Sequence, residues 1–276
     1  MEIKMKISFI IPAYNCEAYI ERCIDSLLLQ KDADLDIVVV NDGSTDGTAE
    51  LLEKYKSDVT VKTIPNGGCS NARNVGLSIA QGDFIMFADA DDYLSEGAVE
   101  RLVKVQRDTD ADIVKFSYKL VFPDGSTKTA YNQFEEYEVI DKNDFKKKIY
   151  PYFINGIRLN SLWSGLYRRE LIDGRSFRTD MKVAEDAVFS LGSYTRANRV
   201  VVIPDALYNY YQTGEGLTGS AASVIQKYKC NLKFAAETVS YLKEWGMDGP
   251  VTRAKVYMRP LRLTFDKLRR IKQSKA

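Results

Sequence analysis

Apolar and polar residues alternate along the first 118 residues in a repeating strand and helix pattern. Short apolar runs predict buried strands at residues 7–11, 36–40, 59–63, 84–87 and 112–118. Apolar residues recur at helical spacing between those runs, which predicts helices over about 20–28, 48–56 and 72–80 and another that opens with Ser95 as its N-cap. Repeated strand–helix units favour an α/β fold with a mostly parallel sheet sandwiched by helices.

The pattern changes after Tyr118. Pro123-Asp124-Gly125 predicts a hairpin turn, and the aromatic-rich segment that follows has no clear period. Further along, the pattern predicts a helix at 185–197, short strands at 200–203 and 207–211, and helix from about residue 221. We therefore expect one α/β domain over residues 1–215, with halves at 1–118 and 119–215, and a helical C-terminal extension over 216–276.

Composition narrows the possible chemistry. Of the 276 residues, 45% are hydrophobic and 28% are charged, which is ordinary for a globular protein, and a net charge of +1 gives no reason to expect nucleic acid as a partner. The chain has no His, so neither His catalysis nor a His-ligated metal can come from it. The four cysteines lack zinc-ligand spacing, so a metal would be held by oxygens.

The N-terminal apolar run ends at Pro12, which argues against a signal peptide, and no stretch approaches a membrane span. We expect a cytoplasmic protein. Residues 255–276 nevertheless contain eight Lys and Arg residues against one acid, Asp266, with apolar residues interspersed. That segment could rest on the inner face of an anionic membrane as a basic amphipathic helix, or it could be a solvated helical tail.

Polar residues collect where the first four predicted strands end. These segments are residues 12–15, 41–46, 66–68 and 89–92. Doubly wound sheets bind ligands outside the carboxyl ends of their strands, so the four loops are expected to form one site.

The segment Asp89-Ala90-Asp91-Asp92 is the strongest feature of that site. Three carboxylates in four residues repel each other unless a cation lies among them, and their oxygens suit Mg²⁺ or Mn²⁺. The alternative is an acidic turn that leads into a helix N-terminus. The position of the segment after an apolar strand favours the metal.

Three other residues have both a functional and an ordinary interpretation. Arg73, at the start of a helix, suits a diphosphate but could be a surface arginine. Asp42 could bind a ribose or base, or could serve only the turn that contains it. Asp186, beside Glu185, could be a catalytic group or simply an acid in the first turn of a helix.

Gly214-Glu215-Gly216-Leu217-Thr218-Gly219 matches G-x-G-x-x-G, a pattern of dinucleotide-binding oxidoreductases. We reject that reading because the strand–helix repeats lie upstream and no further strand follows. A lid near the donor site and a simple linker remain as interpretations of this loop.

Five segments in order resemble family 2 glycosyltransferases, whose fold is called GT-A. They lie at residues 10–15, 40–48, 66–74, 82–92 and 184–189, and the resemblance covers about residues 6–215. It implies an inverting enzyme that moves a sugar from a nucleotide-sugar donor, expected to be a UDP-sugar, to the hydroxyl of a glycan or lipid-linked acceptor in polysaccharide synthesis.

The resemblance also implies roles for particular residues. Pro12, Tyr14 and Asp42 would hold the nucleoside, and Asn66 and Arg73 would lie near the nucleotide. Asp89 would contact ribose or metal-bound water, and Asp91 would bind Mn²⁺ or Mg²⁺ with help from Asp89. Asp186 would be the catalytic base.

This chain departs from the family pattern at two places. Relatives often carry Trp-Asn-Lys-Leu where it has Trp163-Ser164-Gly165-Leu166, and an Arg where it has Gln212. Both places lie toward the acceptor or the diphosphate. Two rival functions stay open, a nucleotidyltransferase that makes nucleotide sugars and a catalytically silent binding module.

Overall fold

The computed structural model describes residues 4–131, 134–155, 159, 161–212 and 224–273, without the side chains of 266–268 and 270–273. The strands are β1 Lys6–Ala13, β2 Asp34–Asn41, β3 Thr60–Thr63, β4 Phe84–Phe87, β5 Tyr93–Leu94, β6 Ile113–Val121, β7 Thr127–Ala130, β8 Glu138–Asp141, β9 Gly165–Arg168 and β10 Arg199–Tyr211. The α-helices are α1 Ile20–Leu28, α2 Thr48–Glu53, α3 Cys69–Ile79, α4 Ala98–Thr109, α5 Phe145–Lys148, α6 Tyr150–Asn155, α7 Glu185–Arg196, α8 Val224–Tyr241 and α9 Pro250–Gln273.

All ten strands belong to one sheet in the order β3-β2-β1-β4-β9-β6-β10-β5, with β7 beside β6 and β8 beside β10. The strands β1 to β4 pair in parallel, as the strand–helix repeats predict. The other half of the sheet is mixed. Strands β6 and β10 pair in parallel, whereas β5, β7, β8 and β9 run antiparallel to their neighbours. The predicted turn at residues 123–125 reverses the chain between β6 and β7.

Element ends differ from the sequence pattern in three places. Strand β1 continues through Pro12 to Ala13. Helix α4 begins only after Gly97, whose φ of 71° is left-handed, so Ser95 is not its N-cap. The two strands expected at 200–203 and 207–211 form the single strand β10, with register shifts between Val202 and Tyr208.

The sheet has a buried core on each face, because successive side chains of a strand point in opposite directions. Phe9 and Ile11 belong to the core that helices α1 and α4 cover. Ile10 and Phe87 belong to the opposite core, which α7 covers. The prediction of a sheet sandwiched by helices is confirmed.

The C-terminal helices complete the second core. Phe234 of α8 and Val256 of α9 are both fully buried there. Trp245, between the two helices, stacks on Tyr150 at 4.3 Å and donates a hydrogen bond to the Thr195 hydroxyl at 3.0 Å. Helices α8 and α9 are therefore packed on the α/β core.

Within the part of the chain described above, no helix has the length and apolar character needed to cross a bilayer.

Candidate active site

The loops that follow β1 and β2 are joined by hydrogen bonds. The Asn15 backbone is left-handed, with φ 46°, and its side-chain oxygen accepts from the Thr45 N–H at 2.8 Å. Its own N–H donates to the Ser44 hydroxyl at 3.1 Å. Pro12 lies in β1 beside Val40 of β2, and the Tyr14 ring beyond it is 47% exposed. The junction therefore presents an aromatic ring at the carboxyl edge of the sheet.

Asp42 fixes a third loop to the same edge. Its carboxylate is 3% exposed and accepts hydrogen bonds from the Gly67 and Gly68 N–H groups, both at 2.8 Å. Gly43 lies so close to this loop that an added Cβ would be 2.8 Å from the Asn66 nitrogen. Asn66 itself is exposed on the loop. Asp42 thus has a positioning role that its turn-like sequence did not indicate.

Arg73 joins two carboxylates that are far apart in sequence. One guanidinium nitrogen donates to Asp186 Oδ1 at 2.7 Å, and the other donates to Asp89 Oδ1 at 2.9 Å. The Arg73 side chain is 5% exposed, and its planar face lies 5.5 Å from the Phe177 ring centre. Arg73 was expected to be near the nucleotide, and in this structure its guanidinium is held between two acids rather than on the surface.

Helix α7 brings Asp186 to this edge. The helix starts immediately after Ala184, whose left-handed φ of 67° turns the chain into it. Asp186 is 28% exposed, so its carboxylate can meet a bound molecule while Oδ1 stays on Arg73. Burial, with Glu185 and Asp89, raises the pKa of Asp186 to about 7 despite the opposing charge of Arg73. A carboxylate with that pKa can accept a proton near neutral pH.

The acidic segment after β4 is partly buried. The Asp89 N–H donates to the Tyr208 hydroxyl at 3.0 Å, and burial together with the Asp89 charge raises the pKa of Asp91. Asp92 is fully buried and accepts from the Tyr211 N–H at 2.8 Å; burial, with the charges of Asp89 and Asp91, raises its pKa to about 9. Searched over the described residues, no cluster of three or more Cys, Asp or Glu side chains could hold a metal.

Two basic residues of this region were missed in the sequence. Arg22 donates to the Asp91 carbonyl at 2.8 Å, and its guanidinium lies 4.6 Å from the Tyr93 ring centre and 4.3 Å from that of Tyr211. Lys115 is fully buried in β6 and donates to the Ser164 hydroxyl at 2.7 Å. Both lie within ordinary helix or strand patterns, so no local signal distinguishes them.

The structure shows what surrounds the two positions at which this chain departs from the family pattern. Gly165 pairs with Lys115 across the sheet, and a Cβ there would lie 2.7 Å from the Tyr167 ring, so any side chain at this position would require that ring to shift. The Gln212 N–H donates to the Val121 carbonyl at 2.8 Å. The loop at residues 214–219 lies outside the described residues.

Several known proteins resemble this chain in sequence. The sequence profile described as glycosyl transferase family 2 matches residues 8–174. The uncharacterised glycosyltransferase EpsJ of Bacillus subtilis is 36% identical over 77% of this chain and 62% of its own length. The cholesterol galactosyltransferase of Borreliella burgdorferi is 30% identical over 83% of this chain and 66% of its own. The chain thus spans two thirds or less of these relatives.

A solved structure has the same fold. The crystal structure of Staphylococcus aureus TarS in complex with UDP-GlcNAc superposes with a TM-score of 0.73 and 27% identity, covering 93% of this chain and 72% of that one. The expected GT-A fold is confirmed by this likeness. With the profile match over more than half its length, the chain belongs to glycosyl transferase family 2.

Proposed function

We propose that this chain is an inverting glycosyltransferase that moves a sugar from a UDP-sugar to an acceptor hydroxyl in the synthesis of a surface polysaccharide or other glycan. Family membership and the likeness to TarS, whose crystal structure contains UDP-GlcNAc, support the donor class. The observation that carries the proposal is the Arg73 bridge. Arg73 holds Asp186 of α7 close to Asp89, which follows β4. In the proposed enzyme, Asp186 would act on the acceptor and Asp89 would contact the donor, so the two carboxylates would serve one site.

In this proposal the donor nucleoside lies on the loops after β1 to β3. Tyr14, 47% exposed, offers a face for the base, and Pro12 and Asn66 flank it. The Asp42 carboxylate already accepts hydrogen bonds from the Gly67 and Gly68 N–H groups, so its main contribution is to hold their loop in place for the nucleoside. Arg73 likewise holds the Asp89 and Asp186 carboxylates in place, and its guanidinium keeps positive charge near the donor diphosphate.

Asp91 and Asp89 are the proposed ligands of Mn²⁺ or Mg²⁺. The pKa of the Asp91 carboxyl is raised by burial and by the charge of Asp89, so a cation near the two carboxylates would offset that repulsion. Oxygen ligands of this kind fit both metals. When bound, such a metal stabilises negative charge on a departing diphosphate.

Asp186 is the proposed general base. An acceptor hydroxyl is a poor nucleophile near neutral pH, and a carboxylate within hydrogen-bond reach can take its proton as the oxygen attacks the anomeric carbon. Attack from the face opposite the leaving diphosphate inverts that carbon in one displacement, without a covalent sugar–enzyme intermediate. The pKa of about 7 suits this role, because the carboxylate is both available and basic at physiological pH.

The decisive experiment offers the chain a panel of UDP-, GDP- and dTDP-sugars and measures nucleotide release with and without a chelator. We expect release from a UDP-sugar that needs Mn²⁺ or Mg²⁺. Pyrophosphate release from a nucleoside triphosphate and a sugar 1-phosphate would instead identify a nucleotidyltransferase. Binding of a UDP-sugar without any release would identify a silent binding module.

A peripheral contact with a cytoplasmic membrane face is a second part of the proposal. Helix α9 exposes apolar side chains at helical spacing on one face, namely Val251, Met258, Leu261 and Phe265 at 67, 60, 37 and 68%. Exposed basic residues share that face at helical spacing, namely Lys255, Arg262 and Arg269. Apolar and cationic residues together suit an anionic lipid surface. Arg259, by contrast, is buried at 2% and takes no part.

A further inference from the structure

A cavity of about 460 Å³ lies beside Asp186, between the start of α7 and the two C-terminal helices. Its volume is within the range of small-molecule sites, on the order of 300–1,000 Å³. Helix α7 contributes Asp186 and Ala187 to its wall, helix α8 contributes Val224 and Asn231, and helix α9 contributes Leu263.

Asp186 connects this cavity to the donor loops. Its Oδ1 accepts from Arg73, which also holds Asp89 at the end of β4. Asp186 is also one of the residues that line the cavity. A molecule in the cavity would therefore meet the proposed base from a side that neither Arg73 nor Asp89 occupies, since neither of them lines the cavity.

The cavity wall combines polar groups with apolar surface. No hydrogen bond to the Asn231 amide is found within the described part of the chain, so its donor and acceptor are available to hydroxyl groups. Ser161 also lines the cavity, and its carbonyl is held by the buried Lys115 ammonium at 2.6 Å. Val224 and Leu263 contribute apolar surface on the side of the C-terminal helices.

We propose that this cavity is the acceptor site and that it takes a glycoside with an apolar aglycone. The sugar hydroxyl would meet Asp186, with Asn231 beside the ring, and the aglycone would pack on Val224 and Leu263. The assignment rests on the proposed glycosyltransferase function and adds the acceptor class and the residues that bind it.

The test uses octyl and methyl glycosides of glucose, galactose, mannose, N-acetylglucosamine and N-acetylgalactosamine as acceptors, with the full chain. Val224→Trp and Leu263→Trp fill the cavity. Ile225→Trp adds the same ring to a neighbouring position of α8 that is 67% exposed and does not line the cavity. We expect each cavity variant to raise the KM for the best octyl glycoside at least tenfold, with UDP affinity within twofold of the unchanged chain and with the control unaffected.

The outcomes separate the two proposals. An unchanged acceptor KM in both cavity variants, or methyl glycosides that serve as well as octyl glycosides, would overturn the acceptor assignment. The acceptor assignment would also be overturned if a UDP-sugar is hydrolysed but no octyl glycoside accepts sugar or binds in calorimetry with UDP present. If no UDP-sugar is bound or hydrolysed, the proposed function itself is wrong. UDP affinity of each variant also reports whether it has folded.

Discussion

Asp186→Asn tests the proposed base most directly. The amide oxygen can still accept the 2.7 Å hydrogen bond that Arg73 donates to Oδ1, so the link between α7 and β4 is expected to persist. The amide cannot take a proton. Loss of a positioned general base lowers turnover by about 100-fold or more, which corresponds to about 2.7 kcal/mol in the activation free energy. UDP affinity is expected to change by less than twofold, because the proposed role of Asp186 is toward the acceptor.

The pKa of about 7 adds a prediction for the pH profile. A base acts only when deprotonated, and a group with this pKa is about 9% deprotonated at pH 6 and about 91% at pH 8. Turnover of the unchanged enzyme should therefore rise roughly tenfold from pH 6 to pH 8. The residual turnover of Asp186→Asn should lack this rise, since the titrating group is gone.

The assay is UDP release from the UDP-sugar that the unchanged chain uses fastest, recorded from pH 5.5 to 8.5 on both proteins with their melting temperatures. Glu185→Gln is the matched control. Its Oε1 is 3.9 Å from Arg73, so it should lower turnover far less. If Asp186 served only as an acid at the helix start, the variant would lose up to about 1 kcal/mol of stability and keep its turnover. A destabilised but fully active Asp186→Asn protein would therefore refute the assignment.

Four other predictions concern separate parts of the molecule. Asp91→Asn should weaken metal-assisted donor binding by about 1–3 kcal/mol, and full activity of the unchanged chain in a chelator would contradict the metal proposal. Asp42→Ala should abolish most of the preference for UDP over GDP in calorimetry, because it frees the glycine N–H groups of the donor loop; an unchanged preference would count against it. Asp92→Ala should lower the free energy of unfolding by about 1–3 kcal/mol, because it leaves the partly buried Tyr211 N–H unpaired, and Asp92→Asn should lower it much less, as measured in urea titrations with chelator. The folded pKa of Asp92 is raised to about 9, so its stabilising contribution is full below pH 3.8 and is lost as the pH rises to 9. The stability of Asp92→Asn relative to the unchanged chain should therefore increase over that pH range. Met258→Ser with Phe265→Ser on α9 should reduce sedimentation with anionic vesicles and spare UDP affinity, and equal sedimentation would exclude the membrane contact.

Local sequence determined the first half of this protein. Apolar runs and helical spacing predicted β1 to β4 and their intervening helices, because each such element is stabilised mainly by its own periodic face against a common core. The same pattern brought the ends of these strands to one edge of the sheet. The sequence therefore predicted that Asp42, Asp89 and Asp91 share one site, and the resemblance to the family supplied their expected roles.

Only the tertiary structure decided the second half. Strands β5 and β7 to β9 run antiparallel to their neighbours, which no local period encodes, because the side-chain pattern of a strand is the same in either direction. Asp186 lies 113 residues from Arg73, and their 2.7 Å hydrogen bond depends on how α7 packs against the sheet. The cavity beside Asp186 depends in turn on helices α8 and α9, which join the core through long-range contacts. The family resemblance named Asp186 as the expected base, but contacts between residues distant in sequence leave no pattern in either segment alone. The surroundings of Asp186 could therefore be located only in the folded chain.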